Sequence, residues 1–193
     1  MSGVDLTKIK TMKDILDLRV ILKEQWSNII ETFNSHLSEK FSELFFMSYK
    51  YYTEKMQTQE RTKILSPIFN GILLKIMGPF GLIKNELNGC DLSFKSTILE
   101  NKITLSLSNK WTGNGYAKTS WHLLIKLDVD DYGKVISSFA CLVPLENCVS
   151  KWTEPNTDSN FSSLVFNNED YEKILIIQGD LVRKSKQIHQ VLL

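Results

Sequence analysis

The most informative segment of the chain is Asp91–Lys126, which reads DLSFKSTILENKITLSLSNKWTGNGYAKTSWHLLIK. Its first half alternates apolar and polar residues with the period of two that is typical of β-strands. Leu99 and Ile103 fall on one face of this strand, whereas Glu100 and Lys102 fall on the other. We therefore expect the apolar face to pack on a core, and the two charged side chains to point together into a cleft.

The chain as a whole divides into a helical first part and a strand-rich second part. Apolar residues at helical spacing predict helices through the first 77 residues, with breaks near Ser35 or Ser38 and at Pro67. The last of these helices is expected over Glu60–Met77. The predicted strands are Asp91–Phe94, Ser96–Ser108, Trp121–Val129, Val135–Val143 and Ile174–Ile177. We predict an α/β fold with a mixed central β-sheet flanked by helices and a helical N-terminal region.

Composition and charge place the chain among ordinary globular proteins. It has 193 residues, 42% of them hydrophobic, which suits one domain with a substantial core. The net charge of +1 does not by itself indicate a polyanionic partner. The three cysteines form no C-x-x-C pair, so we expect core thiols. Because no signal peptide or membrane span is visible, we expect a cytoplasmic protein.

Two carboxylates and a lysine in this stretch suggest a metal-dependent phosphodiester cleavage site. Asp91 precedes Glu100 by nine positions, and Lys102 follows Glu100 at i+2. If Asp91 lies on the adjacent strand, its carboxylate can approach Glu100 and share a divalent cation. Mg²⁺ prefers one or two carboxylates together with water and phosphate oxygens, and a nearby lysine can stabilise the charge on a phosphorane. A solvent-facing ion pair on the sheet remains the competing interpretation.

The second half of the stretch is basic, aromatic and rich in amides, and no acidic residue lies between Asn101 and Lys126. We interpret Lys110–Tyr116 as a flexible loop, with a buried Trp111 as the alternative. Lysine and asparagine side chains there suit contacts with phosphates and base edges. The candidate DNA-binding residues are Lys110, Asn114, Tyr116, Lys118 and His122.

Asp91, Glu100-Asn101-Lys102 and the downstream NKWTGNGYAKTSWHLLIKLDVD together resemble a type II restriction endonuclease of the PD-(D/E)xK nuclease superfamily. The resemblance covers roughly residues 88 to 143. It implies that Asp91 and Glu100 bind Mg²⁺ and that Lys102 assists the attacking water. Two residues depart from the family's pattern: Cys90 replaces a proline, and Asn101 stands at a position that is usually apolar, where a buried amide needs a partner.

The resemblance implies a restriction-endonuclease-like fold and an enzyme that cuts double-stranded DNA at a specific sequence to leave 5′-phosphate ends. It also implies a homodimer and a cognate DNA methyltransferase. We expect a single nuclease domain over residues 1–193, in which residues 1–77 form a helical scaffold and dimerisation region. Residues 88–193 are expected to form the sheet that carries the catalytic core.

Three alternatives remain open on the sequence. One is a structure-specific repair or recombination nuclease with the same site. Another is a DNA-binding module without catalysis, in which Glu100 and Lys102 form an exposed pair. The third is a helical interaction protein that binds a partner through the aromatic residues of Phe45–Tyr52.

Overall fold

The computed structural model describes residues 6–40, 58–85, 91–105, 110–114, 121–130, 133–155 and 161–180. Two helices precede the strands in this part of the chain, α1 (Leu6–Lys40) and α2 (Thr58–Met77). The strands are β1 (Leu82–Lys84), β2 (Leu92–Phe94), β3 (Thr97–Thr104), β4 (Lys110–Asn114), β5 (Trp121–Val129), β6 (Val135–Pro144), β7 (Phe161–Val165) and β8 (Leu175–Gln178).

Six of the strands form one mixed sheet in the order β1-β2-β3-β5-β6-β8. The β3–β5 pair is parallel, and the other neighbours in this sheet are antiparallel. The predicted α/β class, the mixed central sheet and the helical N-terminal region are therefore confirmed. β4 and β7 form a separate antiparallel pair. The main apolar core lies between the helices and the six-stranded sheet, and a second cluster lies between that sheet and the β4–β7 pair.

The helices bury one apolar stripe each. Ile15, Leu18 and Leu22 of α1 are fully buried, because residues three and four apart share one face of a helix. Phe69 of α2 joins the two helices through ring contacts with α1, including one of 5.3 Å between its centroid and that of Phe33. Among the described residues, no helix combines the length and apolar character needed to cross a membrane.

α1 is longer than the sequence predicted. No break occurs at Ser35 or Ser38, because both lie inside the helix and the Ser38 hydroxyl donates to the Asn34 carbonyl within it. α2 likewise continues through Pro67. The aromatic residues of Phe45–Tyr52 lie outside the described residues, as does Cys90.

The predicted strands Trp121–Val129 and Val135–Val143 correspond to β5 and β6, which form an antiparallel hairpin, and β5 has the predicted bounds. Its turn is closed by the Gly133 N–H, which donates to the Asp130 carbonyl at 3.0 Å, and Gly133 adopts a positive φ of 80° that glycine tolerates. β3 ends at Thr104, earlier than predicted.

Lys110–Asn114 is a strand, which corrects the predicted loop. Trp111 is fully buried, and its Nε1 donates to the Ile125 carbonyl at 3.0 Å. Its ring packs edge-on against Phe166, with a centroid separation of 5.6 Å. The indole is therefore part of the second core and is not presented to a ligand. The described cysteines, Cys141 and Cys148, are buried free thiols, as predicted, and burial raises the pKa of Cys148 to about 11.

One mismatch in strand length positions the candidate site. β2 pairs with β3 only as far as Leu92 opposite Leu99, whereas β3 continues to Thr104. Beyond Leu99, the edge of β3 that faces β2 pairs with no strand among the described residues. Asp91, immediately before β2, lies beside this edge because its Oδ2 accepts from the Asn101 N–H at 2.9 Å.

A buried carboxylate anchors the turn after β6. Asp170 accepts from the backbone N–H groups of Val149 and Ser150, at 2.8 and 2.7 Å, and from the Ser150 hydroxyl. Burial alone would raise its pKa, but these hydrogen bonds and Lys173 outweigh burial and lower the pKa to about 2. The carboxylate is thus held ionised in the folded state.

Asp170→Asn is expected to lower the free energy of unfolding by about 2–3 kcal/mol at neutral pH, because buried N–H donors lose a charged acceptor. The folded pKa lies below the ordinary value of 3.8, so the stabilisation is complete above about pH 4 and is lost as the pH falls toward 2. Urea unfolding between pH 2.5 and 7 measures both effects. Asp17→Asn, in an exposed pair with Lys95, is the control; an equal loss there would contradict the assignment.

Candidate functional site

The structure brings the three predicted catalytic residues together. The Lys102 Nζ lies 2.9 Å from Asp91 Oδ2 and 2.8 Å from Glu100 Oε1. Glu100 and Lys102 share one face of β3, as their i, i+2 spacing predicted, and Asp91 reaches Lys102 from the segment before β2. Two carboxylates from different segments therefore approach one cationic group.

These three side chains differ in their access to solvent. The Asp91 side chain is 42% exposed, that of Lys102 16%, and that of Glu100 3%. Burial of Lys102 alone would lower its pKa, but the charges of Asp91 and Glu100 outweigh burial and raise it. Lys102 is consequently a firmly protonated ammonium that neutralises a buried carboxylate and contacts an accessible one.

A cleft of about 490 Å³ opens along the free edge of β3. One wall comes from α2, with Lys63, Ser66 and Asn70, and the other from β4, with Lys110. Asp91 and Lys102 line the cleft between these walls, whereas Glu100 is not among its lining residues. The cleft therefore combines lysines from three elements with one exposed carboxylate.

Asn101 has the partner that its position requires. It lies on the helix side of β3, and its Nδ2 donates to Asn70 Oδ1 at 2.7 Å. The backbone N–H of Asn101 donates to Asp91. Asn101 thus connects α2, β3 and the Asp91 carboxylate within one small region.

The predicted DNA-binding residues fall in different places. Lys110 is exposed and lines the cleft, and Asn114 is the last residue of β4, opposite Phe161. Tyr116 and Lys118 lie outside the described residues. His122, which was predicted to contact DNA, does not line the cleft. It is fully buried, and its Nε2 accepts from Trp152 Nε1 at 3.1 Å.

The burial of His122 has a physical reason. It pairs with Glu100 across the parallel β3–β5 ladder, so both side chains point to the face that the β4–β7 layer covers. Alternation along β5 places His122 and Leu123 on opposite faces of the sheet. The second layer, which the sequence did not reveal, turned that face into an interior.

Sequence reasoning missed the α2 wall of the cleft. Thr62, Ser66 and Asn70 recur every four residues and so form a polar stripe beside the apolar one. A polar stripe on a helix ordinarily faces solvent, and its pattern is the same when it lines a site. Only the position of β3 opposite α2 reveals its role.

The donor set is compatible with Mg²⁺. In the described part of the chain no group of three or more histidine, cysteine or carboxylate side chains gathers as a metal site. Asp91 and Glu100 nevertheless accommodate a cationic group, the Lys102 ammonium, between them. Two carboxylates are sufficient for Mg²⁺, which takes its remaining ligands from water and substrate phosphates.

No model of a known protein family matches this chain, and a search of curated proteins finds no match either.

Lys102→Met is expected to lower the free energy of unfolding by about 3–5 kcal/mol, because it leaves the Glu100 carboxylate buried without its cation. Adding Glu100→Gln should restore part of the loss, since a neutral amide tolerates burial better. Urea unfolding of the two single variants and the double variant measures this coupling.

Lys95→Met provides the control, because the Lys95–Asp17 pair is 46% and 40% exposed. Such pairs contribute about 0.2–1 kcal/mol. Additive effects of the Lys102 and Glu100 substitutions would show that the two residues are not energetically coupled.

Proposed function

We propose that this protein is a Mg²⁺-dependent nuclease that hydrolyses phosphodiester bonds of double-stranded DNA. The observation that carries the proposal is the convergence of Asp91, Glu100 and Lys102, with the lysine ammonium within 3 Å of both carboxylates. Residues chosen from the sequence for this chemistry thus lie together, beside a cleft with lysines on its walls.

Each residue has a distinct role in this proposal. Asp91 and Glu100 would hold Mg²⁺, and the bound ion would supply polarisation of the scissile phosphate and activation of a water nucleophile. Lys102 donates hydrogen bonds as an ammonium and offsets the negative charge that develops on the phosphorane. The Asn101 N–H fixes Asp91 beside the cleft, so that the carboxylate is already oriented before substrate binds. In-line attack of water leaves a 5′-phosphate and a 3′-hydroxyl.

The walls of the cleft suit a phosphodiester backbone. Lys63 and Lys110 are exposed and stand on opposite walls, on α2 and β4. Lysines at such positions contact phosphates and contribute affinity without reading sequence. Ser66 adds a hydroxyl donor to the α2 wall.

More specifically, we propose that the protein is a type II restriction enzyme with a restriction-endonuclease-like fold, which cuts a specific sequence as a homodimer. What supports this finer version is the resemblance of Asp91 and Glu100-Asn101-Lys102 to that family. A chain with one such site needs a second copy to cut both strands, and two-fold symmetry matches a palindromic target.

One observation favours a non-catalytic DNA-binding module as the second candidate. The Glu100 side chain is only 3% exposed, and its charge is already neutralised by Lys102. Such a pair could serve the fold alone. The module would bind DNA through the lysines of the cleft, without any requirement for a metal ion.

Incubation of the chain with unmethylated phage DNA and Mg²⁺ is expected to give discrete fragments, which EDTA abolishes. Glu100→Gln should reduce the cleavage rate at least about 100-fold, because it removes a charged metal ligand while keeping the side-chain shape. Gel electrophoresis of timed samples measures the rate, and Glu24→Gln on α1 is the matched control.

The outcomes separate the candidates. Fragments that are discrete and metal-dependent support the sequence-specific enzyme, and cleavage restricted to a four-way junction substrate indicates the structure-specific nuclease. DNA binding without cleavage by either the wild-type chain or the variant would leave the non-catalytic module.

Lys63→Ala and Lys110→Ala are each expected to weaken DNA binding without changing sequence preference. Each should also reduce the slope of log K against log salt by about one, because one phosphate contact is lost. Fluorescence anisotropy at several salt concentrations measures the slope. Lys23→Ala, exposed on α1, should leave it unchanged; unchanged slopes in the cleft variants would contradict the proposed DNA path.

A further inference from the structure

Phe161 places an aromatic ring on the wall of the cleft. It is the first residue of β7 and is 40% exposed. No other aromatic residue is among the described residues that line the cleft. Ser162 and Leu164 are buried, and since alternate residues of a strand point to opposite faces, Phe161 lies on the outward face of the β4–β7 pair.

Polar groups of β4 lie on the same outward face as this ring. Lys110 and Thr112 line the cleft together with Phe161. Trp111 is buried between them, so Lys110 and Thr112 point outward. Thr112 also pairs with Ser163, two residues from Phe161 on β7, and directly opposite residues of an antiparallel pair share a face. One wall of the cleft therefore presents a ring, a hydroxyl and an ammonium group.

The charges of the cleft favour an anionic ligand. Lys63, Lys102, Lys110 and Asp91 are the charged residues among its described lining residues, so three cations face one carboxylate. Lys102 is paired with Asp91 and Glu100, whereas Lys63 and Lys110 are exposed on opposite walls. Lysines placed in this way suit phosphate oxygens.

The size of the cleft suits one nucleotide. Its volume of about 490 Å³ lies within the range of small-molecule sites, about 300–1,000 Å³. A single exposed apolar side chain is ordinary on a protein surface. Its combination here with hydroxyl and ammonium groups matches the base, the sugar and the phosphate of a nucleotide. A base can stack on a side chain only when it has left the stack of its own strand.

We propose that the cleft binds one unstacked nucleotide of DNA, with its base stacked on Phe161 and its flanking phosphates in contact with Lys63 and Lys110. The inference rests on the proposed function, because it takes DNA as the ligand, and it narrows the substrate class to DNA with an unpaired or extruded nucleotide. Stacking tolerates any base, since every base has a π-face, so Phe161 supplies affinity without reading sequence. Extrusion from a paired duplex costs free energy, whereas a nucleotide that is already unpaired costs least.

Fluorescence anisotropy of a labelled octathymidine with the full chain tests the proposal, in EDTA so that no Mg²⁺-dependent cleavage occurs. Phe161→Ala is expected to weaken binding about 5–100-fold, the range for the loss of one stacked base. Phe161→Tyr keeps the aromatic face and should stay within about twofold of the wild type. Phe161→Leu keeps an apolar side chain without a ring and should lose as much affinity as Phe161→Ala.

Two controls isolate stacking from a structural role. Val165→Ala should bind as the wild type does, because Val165 is exposed on the same face of β7 but does not line the cleft. An abasic octamer with the same sugar–phosphate backbone has no base to stack, so every variant at position 161 should bind it equally. Lys63→Ala should weaken the binding of both octamers, because both carry phosphates.

Two duplexes of equal length test the requirement for an unstacked base. A duplex with one unpaired thymidine should bind more tightly than the fully paired duplex, and Phe161→Ala should abolish the difference. Equal binding of the two duplexes by the wild-type chain would overturn this requirement.

The outcomes for Phe161 and for the nuclease are separate. Wild-type affinity for octathymidine in Phe161→Ala or Phe161→Leu, or an equal loss on the abasic octamer, would overturn stacking, even if the wild-type chain cleaves DNA. A loss confined to the octamer with bases, together with no Mg²⁺-dependent cleavage of any DNA, would support the nucleotide site and contradict the nuclease. Absence of binding to every one of these DNAs would overturn the inference.

Discussion

The hydrogen bond from the Asn101 N–H to the Asp91 carboxylate is the contact on which the arrangement of the site depends. It forms where β2 has ended and β3 continues, so a side chain replaces the missing strand as the partner of an edge N–H. A longer β2 would have satisfied this group with a carbonyl and closed the edge. The shorter strand leaves room for the cleft and places a carboxylate at its margin.

The charges around this contact lie at a boundary between two environments. On one side of β3, Asn101 meets α2 in the main core; on the other, Glu100 and Lys102 lie on the face that the second layer covers. Lys102 connects a buried carboxylate to an exposed one, so a cation entering from the cleft would compete for a preformed anionic pair. Lys102 therefore stabilises the buried Glu100 carboxylate while Asp91 stays accessible from the cleft.

Alternation along β3 and β5 made much of this architecture predictable. It assigned Glu100 and Lys102 to one face and gave β5 its observed bounds. Asp91 could be linked to Glu100 because a hairpin returns the chain across a few residues. These inferences succeeded because they depend on contacts close in sequence and on the period of the strand.

The sequence-based predictions that were wrong share a different cause. Lys110–Asn114 reads as a loop because a short strand with a glycine lacks clear alternation, and its partner β7 lies about fifty residues later along the chain. Without that partner, the burial of Trp111 and His122 was hidden. The cleft wall on α2 was hidden for the same reason, since a polar helix stripe shows no sign of the strand it will face.

The parallel pairing of β3 and β5 has a consequence for the order of folding. Because β3 and β5 run in the same direction, the chain must return along the sheet between Thr104 and Trp121. This connecting segment contains β4, which cannot pair until β7 has been synthesised. Hairpins such as β5–β6 close quickly because their ends are near in sequence, whereas distant pairings form late. A nascent chain that has not yet reached β7 already contains Asp91, Glu100 and Lys102, but it lacks the wall that should face them. The site therefore becomes complete only after β7 has been synthesised.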